Sequence, residues 1–265
     1  MNKKPTVRTF RNMKRDGRKI VMITAYDAPV AAFAQEAGID IILIGDSVGM
    51  AMLGYQDTVP VTMDDMIHHC RMVRRGAPEM FLVGDMPFLS YHAGEDRAVL
   101  NAGRFMQEAA CDCVKLECGA ETVPLVERLV NTGIPVMGHI GLLPQRVKTS
   151  GGYRVQGREE EQAEQLIALA KKLENAGAFS VVLECMPAEL ASRITSELEI
   201  PTIGIGAGPG CDGQVQVVTD ILGIGAFLPK HAKRYASCGE IMRQALNDYA
   251  AEVRQGSFPA AENSF

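Results

Sequence analysis

The amino-acid sequence predicts an α/β fold, a single (β/α)8 TIM barrel, and three observations support this prediction. Short apolar runs alternate along the chain with segments of helical periodicity. These runs are continuously apolar, which is typical of parallel strands covered on both faces. The length of 265 residues is also close to the usual size of one such barrel.

Eight short segments are the predicted strands, most of them apolar throughout and next to glycine. Eight strands with helices between them favour a closed barrel over an open doubly wound sheet. The predicted strands are residues 20–25, 40–45, 80–85, 112–117, 134–139, 179–184, 201–206 and 225–229.

Helices are predicted between the strands from their periodicity and their ends. Residues 31–37 and 63–75 are each followed by a glycine, which commonly ends a helix. Residues 96–110 and 159–176 alternate apolar and polar faces at helical spacing. We therefore expect one domain over residues 1–265, with an N-terminal helix before the first strand and an extended C-terminal tail over 256–265.

Three predicted loops are longer than a barrel requires, and each follows a strand. They are residues 49–61, 88–96 and 141–158. Loops that follow barrel strands lie on the face where active sites are built, and long ones are usually lids or binding loops.

Composition and charge exclude several classes of partner. The formal net charge of -5 leaves no basic field for nucleic-acid phosphates. No apolar stretch approaches the roughly 20 residues of a membrane span. The 7 cysteines show no regular framework, which predicts reduced thiols and a cytoplasmic location. The basic segment 3–19 lacks the apolar centre of a secretory signal and predicts a surface helix, with an organelle transit peptide as the alternative.

Four of the apolar runs end in a carboxylate. The residues are Asp46, Asp85, Glu117 and Glu184. In a parallel barrel these ends converge on the catalytic face. Clustered carboxylates repel one another unless a cation or a bound proton offsets their charge. The sequence therefore predicts a metal-assisted enzyme.

The first three acids are the predicted metal ligands. Asp46 and Asp85 each follow a glycine, which removes a side chain that would crowd a close ligand or a close approach of the backbone. Either Asp alone could instead cap the turn that follows it, but the matched pair favours metal binding. Glu117 is the natural third ligand, and oxygen donors favour Mg²⁺ over zinc.

Two further residues lie at strand ends beside these acids. Lys115 is two residues before Glu117, so both side chains face the same way in a strand. It either pairs with Glu117 or holds an anionic substrate, and a Schiff-base role is less economical beside a metal. Glu184 is the predicted general base. His139 is left with three roles: ligand, substrate donor or core residue.

The chain resembles the ketopantoate hydroxymethyltransferase family nearly from end to end. Several long and unusual motifs occur in the family's order. They are ITAYD at 23–27, GDSVGM at 45–50, RRGA at 74–77, GHIGL at 138–142, GGYRVQG at 151–157 and IGIGAG at 203–208.

The resemblance implies a (β/α)8 barrel that binds one Mg²⁺ per subunit through Asp46, Asp85 and Glu117. It implies that Ser47 and Lys115 hold the keto acid, that Asp46 and Asp85 also belong to the substrate site, and that Glu184 is the base. The implied reaction is hydroxymethyl transfer from 5,10-methylenetetrahydrofolate to 3-methyl-2-oxobutanoate, in pantothenate synthesis. The implied assembly, supported by an apolar tail, is a homo-oligomer, a decamer.

Two other classes of protein remain as alternatives. Metal-dependent carbon–carbon lyases and phosphoenolpyruvate mutase-like enzymes stabilise an enolate on the same barrel without folate. The motif at 151–157 and the lack of a lyase-type cysteine loop favour the transferase. A non-catalytic scaffold is disfavoured, because it has no use for a costly cluster of four acids and a lysine.

Overall fold

The computed structural model describes residues 4–225 and 227–265. Its eight parallel strands follow one another around a closed barrel in chain order, and the last strand pairs with the first. The predicted (β/α)8 fold is confirmed. The strands are β1 (Ile20–Thr24), β2 (Ile41–Ile44), β3 (Phe81–Asp85), β4 (Cys113–Glu117), β5 (Val136–Gly141), β6 (Ser180–Glu184), β7 (Thr202–Ile205) and β8 (Gly213–Gln216).

Helices follow most of the strands, and the four predicted ones are confirmed to within a few residues. Asp27, for example, accepts a hydrogen bond from the backbone N–H of Val30 and so begins a helix slightly before its predicted start. The helices are α1 (Val7–Arg15), α2 (Ala28–Glu36), α3 (Val48–Ala51), α4 (Met63–Gly76), α5 (Glu95–Ala109), α6 (Val123–Asn131), α7 (Val147–Ser150), α8 (Glu160–Asn175), α9 (Ala188–Glu197), α10 (Val218–Leu222) and α11 (Cys238–Gln255). Short 3-10 turns occupy Ala120–Thr122, Pro144–Arg146 and Ala261–Asn263.

The eighth strand lies earlier in the chain than predicted. The prediction of a strand at 225–229 is wrong, because residues 225 and 227–229 are a bend and coil, while Ala226 lies outside the described residues. The strand that closes the barrel is β8, which pairs with β1 from Ile20 opposite Gly213. Val215 is the one large apolar residue in β8, so this strand lacks the apolar run that marks a buried strand in sequence.

The barrel interior is filled by side chains that point inward from all eight strands. The same inward rows continue into polar residues at the C-terminal ends of the strands. Asp85 is two residues beyond Val83, and Lys115 is two residues beyond Cys113. Because strand side chains alternate with a period of two, these groups share the inner face of the core. The core is formed by Phe10, Met13, Ile20, Met22, Ile41, Leu43, Phe81, Val83, Cys113, Met137, Val182, Ile203, Ile205 and Val215.

Helix α1 closes the N-terminal end of the barrel. Its side chains Phe10 and Met13 are buried in the same core as the inward residues of the strands. The ring of Phe10 meets the ring of Phe81 edge to face, with 4.9 Å between centroids. The N-terminal helix is therefore present as predicted, but the prediction that it lies on the surface is wrong for this apolar face.

We expect Phe10→Ala to lower the free energy of unfolding by about 3–5 kcal/mol, because it leaves a cavity beneath the barrel. Arg11→Ala, an exposed change on the same helix, is the control and should stay within about 0.5 kcal/mol of the parent. Denaturant unfolding followed by circular dichroism gives both values. Equal stability of the two variants would show that α1 does not contribute to the core.

The barrel unit ends at Val217, and Val218–Phe265 form a second compact unit. This second unit contains α10, α11 and a tail whose residues Ala261–Asn263 form a 3-10 turn, so the tail predicted as extended is extended only in part. Along α11, five large apolar side chains are exposed, and four of them lie at helical spacing: Met242, Leu246, Tyr249 and Val253. The single domain expected over 1–265 stays a prediction.

Candidate active site

The four predicted acids gather at the C-terminal end of the barrel. Asp85, Glu117 and Glu184 are the last residues of β3, β4 and β6, and Asp46 lies just beyond β2. The backbone N–H of Asp46 donates to Oδ2 of Asp85 over 3.1 Å. Lys115 and His139 are buried beside these acids. The strand ends thus bring the predicted residues onto one face.

The glycines before the two aspartates each leave room for a neighbouring side chain. A Cβ on Gly84 would collide with the ring of Phe105 in α5, so this glycine allows a helix to pack close to β3. A Cβ on Gly45 would stand 2.7 Å from Oγ of Ser47. Both glycines therefore accommodate neighbouring residues of the protein itself.

Asp85 and Lys115 form a buried ion pair. Nζ of Lys115 lies 2.7 Å from Oδ1 of Asp85, and the two residues are opposite one another in the β3–β4 ladder. Burial raises the pKa of Asp85 to about 7, against the opposing effect of Lys115 and with a further rise from Asp46. Burial by itself would lower the pKa of Lys115, but Asp85, Asp46 and Glu117 outweigh it and raise that pKa. The ammonium thus stays charged at neutral pH.

Glu117 is a second carboxyl group whose pKa is raised by burial. Desolvation and the charge of Asp46 raise its pKa well above the ordinary value, while Lys115 and a backbone hydrogen bond oppose the rise. Its Oε1 accepts that bond from the N–H of Gln145 at 2.9 Å. Its Oε2 is buried and has no hydrogen-bond partner among residues 4–225 and 227–265. Such an atom is costly unless a further positive group meets it.

Gln145 is a buried site residue that sequence reasoning missed. Its Nε2 donates to Oδ2 of Asp46 and to the carbonyl of Met86, each over 2.9 Å. Its Oε1 accepts a 2.7 Å hydrogen bond from the phenol of Tyr91. Gln145 therefore connects the loop after β5 to carboxylates from two other strands. In the sequence, a glutamine that follows a proline in a long loop does not indicate a buried site residue.

His139 lies between Lys115 and Glu184. Its Nδ1 is 3.4 Å from Nζ of Lys115, and its Nε2 is 3.1 Å from Oε2 of Glu184, although the second contact is not aligned as a well-formed hydrogen bond. Burial lowers the pKa of His139, and the Lys115 charge lowers it further against the opposing effect of Glu184. A neutral ring with its proton on Nε2 would turn the acceptor Nδ1 toward the Lys115 ammonium and the N–H toward the Glu184 carboxylate.

The backbone around Glu184 is unusual. Cys185, the next residue, has a φ of 49°, which is uncommon for a residue with a side chain. Opposite Glu184 in the β5–β6 ladder is Gly141, with a φ of 98°. A Cβ on Gly141 would collide with the carbonyl oxygen of Glu184. The two positions let β5 and β6 approach closely where Glu184 enters the site.

Ser47 is held by a buried phenol. Oγ of Ser47 and the hydroxyl of Tyr26 lie 2.8 Å apart, and the Tyr26 side chain is buried. Ser47 directly follows Asp46, so this hydrogen bond also orders the turn that carries the acid. A serine in this position can offer its hydroxyl to a ligand.

Two of the long loops meet over the same face. Nζ of Lys148 lies 2.6 Å from Oδ2 of Asp57, and the phenol of Tyr153 lies 3.7 Å from Sδ of Met50. These contacts join the loop after β2 to the loop after β5. The third loop contributes Tyr91 to the interior. The loops predicted for the catalytic face therefore lie where expected and border the acids.

No three His, Cys, Asp or Glu side chains in the described ranges form a ready-made metal cage. The residues nevertheless fit Mg²⁺, which is usually held by one or two carboxylates and completes its shell with water and substrate oxygens. The buried, unpartnered Oε2 of Glu117 marks where positive charge is lacking. The predicted ligand set of Asp46, Asp85 and Glu117 stays a prediction.

Comparison with known proteins identifies the family. A family model described as ketopantoate hydroxymethyltransferase matches residues 4–261. The chain belongs to this family. A curated relative from Desulfotalea psychrophila is 56% identical over 254 residues, covering 96% of this chain and 91% of that protein. One from Heliobacterium modesticaldum is 54% identical, covering all of this chain and 96% of that protein. Both are named 3-methyl-2-oxobutanoate hydroxymethyltransferase.

Membership of the ketopantoate hydroxymethyltransferase family makes the chain an enzyme of the transferase class, as the motifs predicted. No helix in the described part of the chain is both long and apolar enough to span a membrane. The family therefore supplies the class of reaction, and the geometry above supplies the residues available for it.

Solved structures share the fold at low sequence identity. Phosphonopyruvate hydrolase in complex with oxalate and Mg²⁺ superposes with a TM-score of 0.64 at 11% identity, over 98% of this chain and 93% of that one. 2,3-Dimethylmalate lyase, a member of the phosphoenolpyruvate mutase/isocitrate lyase superfamily, gives 0.61 at 16% identity, over 98% and 91%. This likeness confirms the barrel fold alone.

Proposed function

We propose that this ketopantoate hydroxymethyltransferase family member transfers a hydroxymethyl group from 5,10-methylenetetrahydrofolate to 3-methyl-2-oxobutanoate, giving 2-dehydropantoate for pantothenate and coenzyme A synthesis. One observation carries the proposal beyond the family name. A partly exposed carboxylate, Glu184, lies near a buried, charged lysine, Lys115, which is surrounded by three further acids. Removal of a proton next to a carbonyl requires this combination of a base and positive charge.

The keto acid is held by groups at the inner end of the site. Lys115 stays protonated and offers positive charge to the substrate's oxygens. Ser47 offers a hydroxyl that Tyr26 keeps in place. Exclusion of bulk water around the buried lysine strengthens both interactions.

Glu184 removes the proton from C3 of the keto acid. One oxygen, Oε2, faces Nε2 of His139, which leaves the other oxygen for the proton. Because burial and Lys115 keep His139 neutral, it orients the carboxylate without forming a salt link that would weaken the base. Water hydrolyses the methylene bridge of the folate, which breaks both of its C–N bonds and releases tetrahydrofolate and formaldehyde. The enolate carbon then attacks the formaldehyde carbon, and the formaldehyde oxygen takes up a proton to give the hydroxymethyl group.

The cation is proposed as one Mg²⁺ per subunit. Asp46, Asp85 and Glu117 would hold it, and it supplies positive charge that makes the C3 proton more acidic and stabilises the enolate. The support is the buried, unpartnered Oε2 of Glu117 and the gathering of three buried acids around one lysine, Lys115.

A product assay tests the reaction. Purified protein should form 2-dehydropantoate from 3-methyl-2-oxobutanoate only when 5,10-methylenetetrahydrofolate and Mg²⁺ are both present. Loss of product on chelation, with recovery on adding Mg²⁺ back, is expected. Cleavage or rearrangement of a keto acid without folate would instead support a lyase or a mutase-like enzyme on the same barrel.

We propose a cytoplasmic homo-oligomer, a decamer, for the assembled enzyme. The support for self-association is the exposed apolar stripe Met242, Leu246, Tyr249 and Val253 on α11. The number ten rests on the family resemblance. The seven cysteines are free thiols, in keeping with a reducing compartment. Multi-angle light scattering should report about ten chains per particle, and a monomer at micromolar concentration would contradict the proposal.

A further inference from the structure

Gln145 engages one oxygen from each of two proposed metal ligands. Its side-chain Nε2 donates a hydrogen bond to Oδ2 of Asp46, and its backbone N–H donates one to Oε1 of Glu117, each over 2.9 Å. Oδ1 of Asp46 lies outside these hydrogen bonds, and Oε2 of Glu117 is without a partner in the described chain. Each carboxylate therefore presents one oxygen to the site and commits the other to the protein.

We infer that Gln145 sets the cation selectivity of the site by restricting Asp46 and Glu117 to one oxygen each, and so favours Mg²⁺ over Ca²⁺. This inference rests on the metal in the proposed function. Mg²⁺ takes six ligands in near-ideal octahedral geometry and keeps several waters, so single carboxylate oxygens suit it. Ca²⁺ takes 6–8 oxygens and often binds both oxygens of one carboxylate, which the Gln145 hydrogen bonds oppose.

Tyr91 fixes the orientation of the Gln145 amide. Its phenol donates to Oε1 of Gln145 over 2.7 Å. With Oε1 committed as an acceptor, the NH₂ group must face Asp46 and the carbonyl of Met86. Both side chains are buried. Tyr91 is thus a positioning residue that acts on the cation through Gln145.

The test compares the affinities of the metal-free protein for Mg²⁺ and Ca²⁺ by isothermal titration calorimetry. Gln145→Met keeps the backbone N–H and the length of the side chain but frees Oδ2 of Asp46. The Mg²⁺ affinity should fall about 10- to 100-fold, the usual range for losing a partner of a metal ligand. The Ca²⁺ affinity should fall much less, so the preference for Mg²⁺ over Ca²⁺ should drop by about tenfold.

Two further variants keep the test decisive. Tyr91→Phe should also lower the preference for Mg²⁺ over Ca²⁺, by a smaller factor. If Gln145→Met does not fold, the Tyr91 variant alone tests the inference. Gln165→Met, an exposed glutamine on α8, should keep the parent preference. An equal loss of affinity for both cations, or an unchanged preference in both site variants, would overturn the inference while leaving the proposed reaction standing. A parent protein that binds no Mg²⁺ would overturn both.

Discussion

Glu184→Gln is expected to lower turnover by roughly 10²–10⁴-fold, the range for losing a general base. The amide keeps the shape of the side chain and can still contact Nε2 of His139, but it cannot accept a proton at neutral pH. The residues proposed to hold the keto acid and the cation lie elsewhere, just beyond β2 and on β3 and β4. Keto-acid and Mg²⁺ binding should therefore stay within a few-fold of the parent.

Exchange of the C3 proton with deuterated water isolates this step from the later transfer. Followed by NMR without folate, the exchange should be slowed in the Gln variant by the same factor as turnover. Glu189→Gln, an exposed change shortly after the same strand, is the matched control and should exchange at the parent rate. Parent-like exchange in Glu184→Gln would assign the base to another group, and His139 is the next residue to replace.

Asp46→Ala and Asp85→Ala are each expected to remove most divalent-cation binding while leaving the fold intact. Loss of one buried carboxylate also relieves repulsion in the metal-free site. Asp46→Ala is the cleaner variant, because Asp85→Ala leaves Lys115 without its ion-pair partner at 2.7 Å. Calorimetric titration with Mg²⁺ measures the binding, and circular dichroism checks the fold.

Asp64→Ala is the control for this pair. Asp64 is largely exposed and pairs with Arg104 on the outer face of the helices, so its loss should leave Mg²⁺ binding unchanged. Variants at Asp46 and Asp85 that still bind Mg²⁺ and turn over normally would show that the ligands have been assigned to the wrong residues.

The sequence was sufficient for most of the barrel and for the carboxylates of the site. Buried parallel strands are marked by continuous apolar runs, and the run before Asp85 or Glu117 gives both the strand and its direction. The two-residue period then places Lys115 and Glu117 on one inner face, as the structure confirms. Strand ends on one face of a closed barrel must converge, so local patterns were enough to assemble these groups.

Features that depend on contacts distant in sequence could not be predicted this way. Strand β8 is specified by its pairing with β1 and β7 rather than by its own residues. Phe10 reads as one apolar residue in a basic segment until the barrel places Phe81 against it. Gln145 reaches Asp46 across 99 residues of chain, and no spacing within either segment encodes that hydrogen bond. A sequence pattern therefore predicts well which helix or strand a residue belongs to, but it predicts poorly which residues distant in sequence that residue contacts.

Because α1 closes the N-terminal end of the barrel, ligands reach the site from the loops at the C-terminal end. Phe10 and Met13 fill the space beneath the inward side chains, so every molecule that reaches Lys115 arrives past the loops on the opposite face. In the proposed reaction, the keto acid and the much larger folate both enter the site from this end. We expect the small keto acid, which the proposal places beside Lys115, to bind before the larger folate, which would otherwise cover its path. The closure of the opposite end of the barrel by α1 is the structural reason for this expected order of binding.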